Sequence, residues 1–128
     1  MKKPKSRRLG DLQLRIMRVL WERSAAPVAI VHEELGGSAQ FAYTTIATML
    51  RKMEAKGLVS HREEGRSFIY LPTVAEEEVS SSMSDDLLDR LFGGSLTQAV
   101  NHLLTHREVS RSELRELERL IAERKKKL

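Results

Sequence analysis

Four histidines are the first candidates for chemistry in this 128-residue chain. His102 and His106 stand four residues apart in a segment of helical periodicity, a spacing that can place two imidazoles on one metal ion. No Glu follows His102, and neither His32 nor His61 is spaced to supply a third ligand. The pair therefore reads as exposed helix histidines, and no metal is expected. Asp85, Asp86 and Asp89 read as a solvated helix face rather than an acid–base set. Gly36-Gly37 and Gly93-Gly94 lack the pattern of a phosphate loop and act as helix stops. There is no cysteine, which excludes disulfides, thiolate metal sites and a cysteine nucleophile. No serine, histidine and aspartate fall in a triad order worth pursuing. Neither an enzyme nor a cofactor is expected.

The one concentrated set is Thr44, Thr45, Thr48, Arg51 and Lys52. At about 100° per residue from Thr44, Ile46, Met49, Leu50 and Met53 gather near 190°. The five polar residues and Ala55 fall on the other side, between roughly −20° and 100°. No acidic residue shares that polar face, since Glu54 points elsewhere. Threonine hydroxyls can hydrogen-bond base edges and their methyls can meet thymine methyls, while Arg and Lys reach guanine or phosphate. An ordinary solvated helix would more often carry Glu and Lys pairs at i, i+4. Threonine is also a mediocre helix former. This face suits the major groove of DNA.

The charge distribution agrees. Residues 1–75 hold 13 Lys/Arg against 7 Asp/Glu, and residues 76–128 hold 9 against 11, within a net charge of +4. An anionic partner is thus expected for the first part.

The elements around this helix can be read in order. Residues 1–8 form a basic arm broken by Pro4. A first helix starts near Gly10 or Asp11 and carries Leu12, Ile16, Val19 and Leu20 at helical spacing. Ser24–Pro27 interrupts it, and Pro27 suits the first turn of a short second helix through Val28, Val31 and Leu35. After Gly36-Gly37-Ser38 the third helix runs over about residues 43–56, closed by Gly57. Leu58-Val59 then opens a strand, Glu63-Glu64-Gly65 reads as a turn, and Ser67 to Leu71 forms a second strand ended by Pro72. Three helices and a hairpin make a winged helix-turn-helix over residues 9–72. His61, Arg62 and Arg66 flank the turn, where a wing touches the DNA backbone.

Residues 73–128 read as helices. Thr73-x-x-Glu76, Ser95-x-x-Gln98 and Ser110-x-x-Glu113 all fit the capping box. Each helix has one apolar face, with Leu87 and Leu91 on the first, Leu103 on the second, and Leu114, Leu117 and Ile121 on the third. Three short amphipathic helices hide such faces poorly alone, so a two-fold homodimer is expected. The other arrangement is a monomer with these helices folded back on the winged helix. The fold class is mainly α with a small β-hairpin, an N-terminal winged helix followed by a C-terminal helical dimerisation domain. No stretch is apolar for long enough to span a membrane and no signal peptide is read, so a cytoplasmic location without membrane insertion is expected.

Leu9-Gly10-Asp11-Leu12, Ile16-Met17-Arg18-Val19-Leu20-Trp21, Val31-His32-Glu33-Glu34-Leu35, Ala42-Tyr43-Thr44-Thr45-Ile46, Lys56-Gly57-Leu58-Val59 and Gly65-Arg66 through Tyr70-Leu71-Pro72 together resemble the penicillinase-repressor (BlaI/MecI-type) family. The similarity is tight over residues 9–72 and looser beyond. It implies a homodimeric repressor on a palindromic double-stranded DNA operator, with Thr44, Thr45, Thr48, Arg51 and Lys52 in the major groove and Arg62 and Arg66 on the wing. It also implies release through a membrane sensor with a zinc-protease domain, by cleavage of an Asn-Phe bond in the dimerisation region. The corresponding stretch here holds Asn101, His102 and Leu103, and neither possible bond is Asn-Phe. A related copper-responsive branch senses metal through C-terminal cysteines, which this chain lacks.

Two other readings stand beside this one. A winged helix used for protein contact would show apolar anchors on its third helix. A repressor that senses a small molecule would line a pocket at the dimer junction with residues such as Met83, Phe92 and Leu103, whose ordinary role is core packing.

Overall fold

The computed structural model describes residues 9–128, so the basic arm read at residues 1–8 lies outside the described residues. The elements run α1 (Asp11–Arg23), β1 (Ala26–Pro27), α2 (Val28–Glu34), a short 3-10 turn (Gly37–Ala39), α3 (Tyr43–Ala55), β2 (Val59–Glu64), β3 (Ser67–Pro72), α4 (Glu76–Phe92), α5 (Leu96–His106) and α6 (Arg111–Lys126). The chain divides into two compact units, the first ending at Ser84 and the second covering Asp85–Leu128. No helix among the described residues is long and apolar enough to cross a membrane.

The first unit is a winged helix with one apolar core. Its helices contribute Ile16, Met17 and Leu20 from α1, Val31 from α2, and Ile46, Leu50 and Met53 from α3, all fully buried. Leu58, Val59 and Tyr70 close the core from the sheet side. The sequence places the first domain at 9–72. The core of the first unit continues past that point through Val74 and Val79. Trp21 Nε1 donates to the Val74 carbonyl at 2.9 Å, and the Thr73 hydroxyl donates to the Gly57 carbonyl at 2.6 Å. Thr73 is therefore not the cap of the following helix. That helix starts at Glu76, with the Val79 N–H donating to the Ala75 carbonyl.

The sheet has three antiparallel strands in the order β1-β3-β2, one more than the expected hairpin. Ala26 and Pro27 pair with Tyr70 and Ile69. Two residues are too few to show the alternation that marks a strand in sequence. Pro27 is extended (φ −72°, ψ 161°) and flanks α2, where it was expected inside the first turn. In the wing, Glu63 and Glu64 belong to β2 and pair with Phe68 and Ser67. The turn is Gly65-Arg66, and Gly65 takes φ 61°, the sign that two-residue hairpins with glycine in the first central position require. The mistaken turn came from reading the charged Glu pair as loop.

The second unit consists of the end of α4 with α5 and α6. Ser95 and Ser110 cap their helices as read, each hydroxyl accepting an N–H at 3.1 Å, from Gln98 and Glu113. In this unit Ala99 is the one buried hydrophobic residue.

Candidate nucleic-acid interface

The third helix is held by its aliphatic side and its end. Ile46, Leu50 and Met53 are fully buried. Its C-terminus closes with the Gly57 N–H on the Glu54 carbonyl and the Leu58 N–H on the Met53 carbonyl, both 3.0 Å. Gly57 takes φ 77°, the left-handed conformation this double closure needs. The chain leaves α3 directly into β2, which fixes where the wing begins.

The opposite side carries the expected set. Thr44, Thr45, Arg51 and Lys52 are exposed and Thr48 is half-buried. Thr44, Thr45, Thr48, Met49 and Lys52 line one open groove. Met49, read from the wheel as core, sits at the edge of that groove, where Gln13 of α1 donates an N–H to its sulfur at 3.6 Å. The guanidinium of Arg51 donates to the Thr48 hydroxyl at 3.2 Å, which keeps the two in register along the helix. No acidic side chain lines the groove. The nearest acid on the helix, Glu54, is turned toward the wing, and each carboxylate oxygen lies 2.7 Å from Nδ1 of His61.

His61, read as flanking the wing turn, is thus engaged by the third helix. Its ring stacks on Phe68 at 4.4 Å and lies 5.7 Å from the Tyr70 ring. The cluster joins β2 and β3 to the C-terminal half of α3. Burial pushes the Tyr70 phenol above its ordinary value, with the Glu54 carboxylate adding and Arg51 opposing. Arg62 and Arg66 are both exposed, but Arg62 pairs with Glu64 at 3.0 Å. Arg66 lies in the turn itself. Sequence reasoning missed the Glu54–His61 link, because contacts seven residues apart across a helix–strand junction leave no periodic signal.

The other predicted residues lie in the second unit or its helices. Leu87, Leu91, Leu103, Leu114 and Ile121 are exposed, and Leu117 is half-buried. Asn101, His102 and Leu103 are exposed within α5. The carbonyls of Asn101 and His102 accept from Thr105 Oγ1 at 2.7 Å and His106 Nδ1 at 3.0 Å. The His102 and His106 rings stack at 4.2 Å, an arrangement built on each other and the backbone. Met83 packs against the core of the first unit.

Comparison with known proteins places these features in a family. The sequence profile described as penicillinase repressor matches residues 9–123. The chain is 32% identical over 117 residues to the penicillinase repressor of Bacillus licheniformis, which covers 91% of each chain. It is 35% identical over 118 residues to the transcriptional regulator BlaI of Mycobacterium tuberculosis, covering 91% of this chain and 84% of that protein. The solution structure of the DNA-binding domain of the repressor BlaI matches with a TM-score of 0.51 at 33% identity, over 59% of this chain and 93% of that one.

Proposed function

The chain belongs to the penicillinase-repressor family of transcriptional repressors, and on that premise we propose that it binds a palindromic DNA operator as a homodimer and blocks transcription. The family is regulatory and not enzymatic. The single observation that carries the proposal is the third helix. Its exposed face of Thr44, Thr45, Thr48, Arg51 and Lys52 is free of acidic groups and backed by a buried aliphatic face. Threonines and the first cation read base edges in the major groove, and Lys52, Arg62 and Arg66 meet phosphates. The five residues proposed to read the operator are threonines and cations, not the large apolar anchors that a protein-docking face would present.

The dimer rests on the second unit. Leu87, Leu91, Leu103, Leu114, Leu117 and Ile121 present apolar surface on short helices, and a second copy is the partner that covers it symmetrically. A two-fold dimer presents two recognition helices to half-sites about one helical turn apart, or a multiple of it. If release follows the family route through a membrane sensor protease, the cut falls within Asn101–Leu103. Those carbonyls are engaged by Thr105 and His106, so α5 must unwind before a protease can use them.

The test is selection of the full-length protein on random DNA duplexes at near-physiological salt, where non-specific binding is suppressed. An enriched inverted repeat with fixed spacing supports the proposal. Retention at low salt alone, with no consensus, refutes base readout.

A further inference from the structure

Among the described residues of the first unit, two large hydrophobic side chains are left exposed, Tyr43 at 49% and Phe68 at 44%. Singly exposed apolar residues are common on protein surfaces. The location and restraint of these two set them apart. Tyr43 is the first residue of α3, and Phe68 is the second residue of β3, next to the wing turn. They therefore stand on the two elements that the operator reading assigns to DNA.

Each ring is also held by a histidine that is itself anchored. The His32 ring meets the Tyr43 ring edge-on, with centroids 5.6 Å apart and planes at 73°. Nε2 of His32 donates to the Phe41 carbonyl at 2.8 Å, which fixes that ring in turn. On the other side His61 stacks on Phe68 with planes at 22°, and its Nδ1 is fixed on the Glu54 carboxylate. A solvent-facing aromatic normally loses rotamer freedom when it is ordered at an interface. Here that freedom is already restricted in the free protein.

We propose that Tyr43 and Phe68 are additional DNA-contacting residues that bracket the recognition helix, and that His32 and His61 position them. Tyr43 lies about 100° around the helix from Thr44, beside the base-reading face and not on it. A helix seated in the major groove turns that flank toward the groove wall, where sugar and phosphate lie. The Tyr43 ring packs on a deoxyribose and its hydroxyl donates to a phosphate oxygen. Phe68 offers no hydrogen bond, so it makes apolar contact with a sugar at the wing. Neither contact uses a charge, so neither releases counterions. This inference rests on the operator-binding reading.

The test uses the full-length chain and the duplex recovered by selection, with affinity measured by fluorescence anisotropy across a salt series. Tyr43→Ala and Phe68→Thr are each expected to weaken binding roughly three- to tenfold, as for loss of one modest contact. The slope of affinity against salt stays unchanged, and so does the melting temperature. Tyr43→Phe should lose part of the effect. His32→Ala should weaken binding in the native background and have little further effect beside Tyr43→Ala, which a merely structural histidine would not show. Variants that bind as tightly as the native protein would overturn the inference while leaving the repressor reading intact. A native chain that enriches no operator would overturn both.

Discussion

Residues up to Ser84 and residues from Asp85 onward differ in where their apolar side chains go. In the first unit Ile16, Met17, Leu20, Ile46, Leu50 and Met53 are wholly out of solvent. In the second unit Leu91 is 71% exposed, Leu96 66% and Ile121 56%. The polar face of the second unit is nevertheless well satisfied. Arg119 is held above its ordinary value by hydrogen bonds to Glu116 and then Glu123. The caps at Ser95 and Ser110 are made. What the second unit lacks is cover for its leucines, and apolar burial is the dominant favourable contribution to folding. The first unit has the makings of an independent domain. The second has well-formed helices whose apolar side chains stay exposed, and the proposed dimer would cover them.

The largest expected effect breaks the second unit. Leu91→Glu with Ile121→Glu should leave a monomer in sedimentation. The operator affinity of that monomer should fall by about a hundredfold or more, because the second half-site is no longer held at high effective concentration. A double variant that still sediments as a dimer would place the interface elsewhere. A core change in the first unit should behave differently. Leu50→Ala should cost about 2–5 kcal/mol of stability by transfer and cavity terms. Its loss should be independent of protein concentration when followed by tryptophan fluorescence, since Trp21 sits beside this core. A concentration-dependent loss would mean that the first unit, too, is stabilised by dimerisation.

A smaller effect separates reading from folding inside the first unit. Thr48→Ala and Arg51→Ala should each weaken specific binding by about 1–3 kcal/mol if the side chain contacts a base, with no change in melting temperature. A loss equal on all sequences would assign that residue to phosphate. The two residues share a hydrogen bond, so their double variant should lose less than the two single losses added together.

The same contrast explains what could be read from the sequence. Which side of α3 is buried was legible because a helix that buries one side must repeat at 3.6 residues, and Ile46, Leu50 and Met53 mark that side, although Met49, read with them, lies at the groove edge. The caps at Ser95 and Ser110 were legible because a local hydrogen bond has a local signature. The third strand was not, since Ala26 and Pro27 acquire their partner only when Tyr70 and Ile69 arrive from far along the chain. Thr73 has the right type and spacing for a cap, yet its hydroxyl went to Gly57. The Glu54–His61 link and the two restrained aromatics are products of the same long-range assembly. For the second unit, the sequence showed apolar faces and the structure shows them exposed.

The smallest expected effect tests the link between helix and association. Ser110→Ala removes the hydroxyl that accepts the Glu113 N–H at the start of α6, a loss of about 0.5–2 kcal/mol in helix stability. In a self-contained domain that cost would lower the melting temperature at every concentration. Here α6 carries Leu114, Leu117 and Ile121, so a frayed first turn withdraws Leu114 from the face proposed to meet the second copy. The variant should dissociate at a several-fold higher protein concentration, while unfolding of the first unit, followed through Trp21, should not move. An unchanged dissociation constant with a lowered melting temperature for the whole chain would show instead that α6 is stabilised within its own chain, and the contrast between the two units would have to be redrawn.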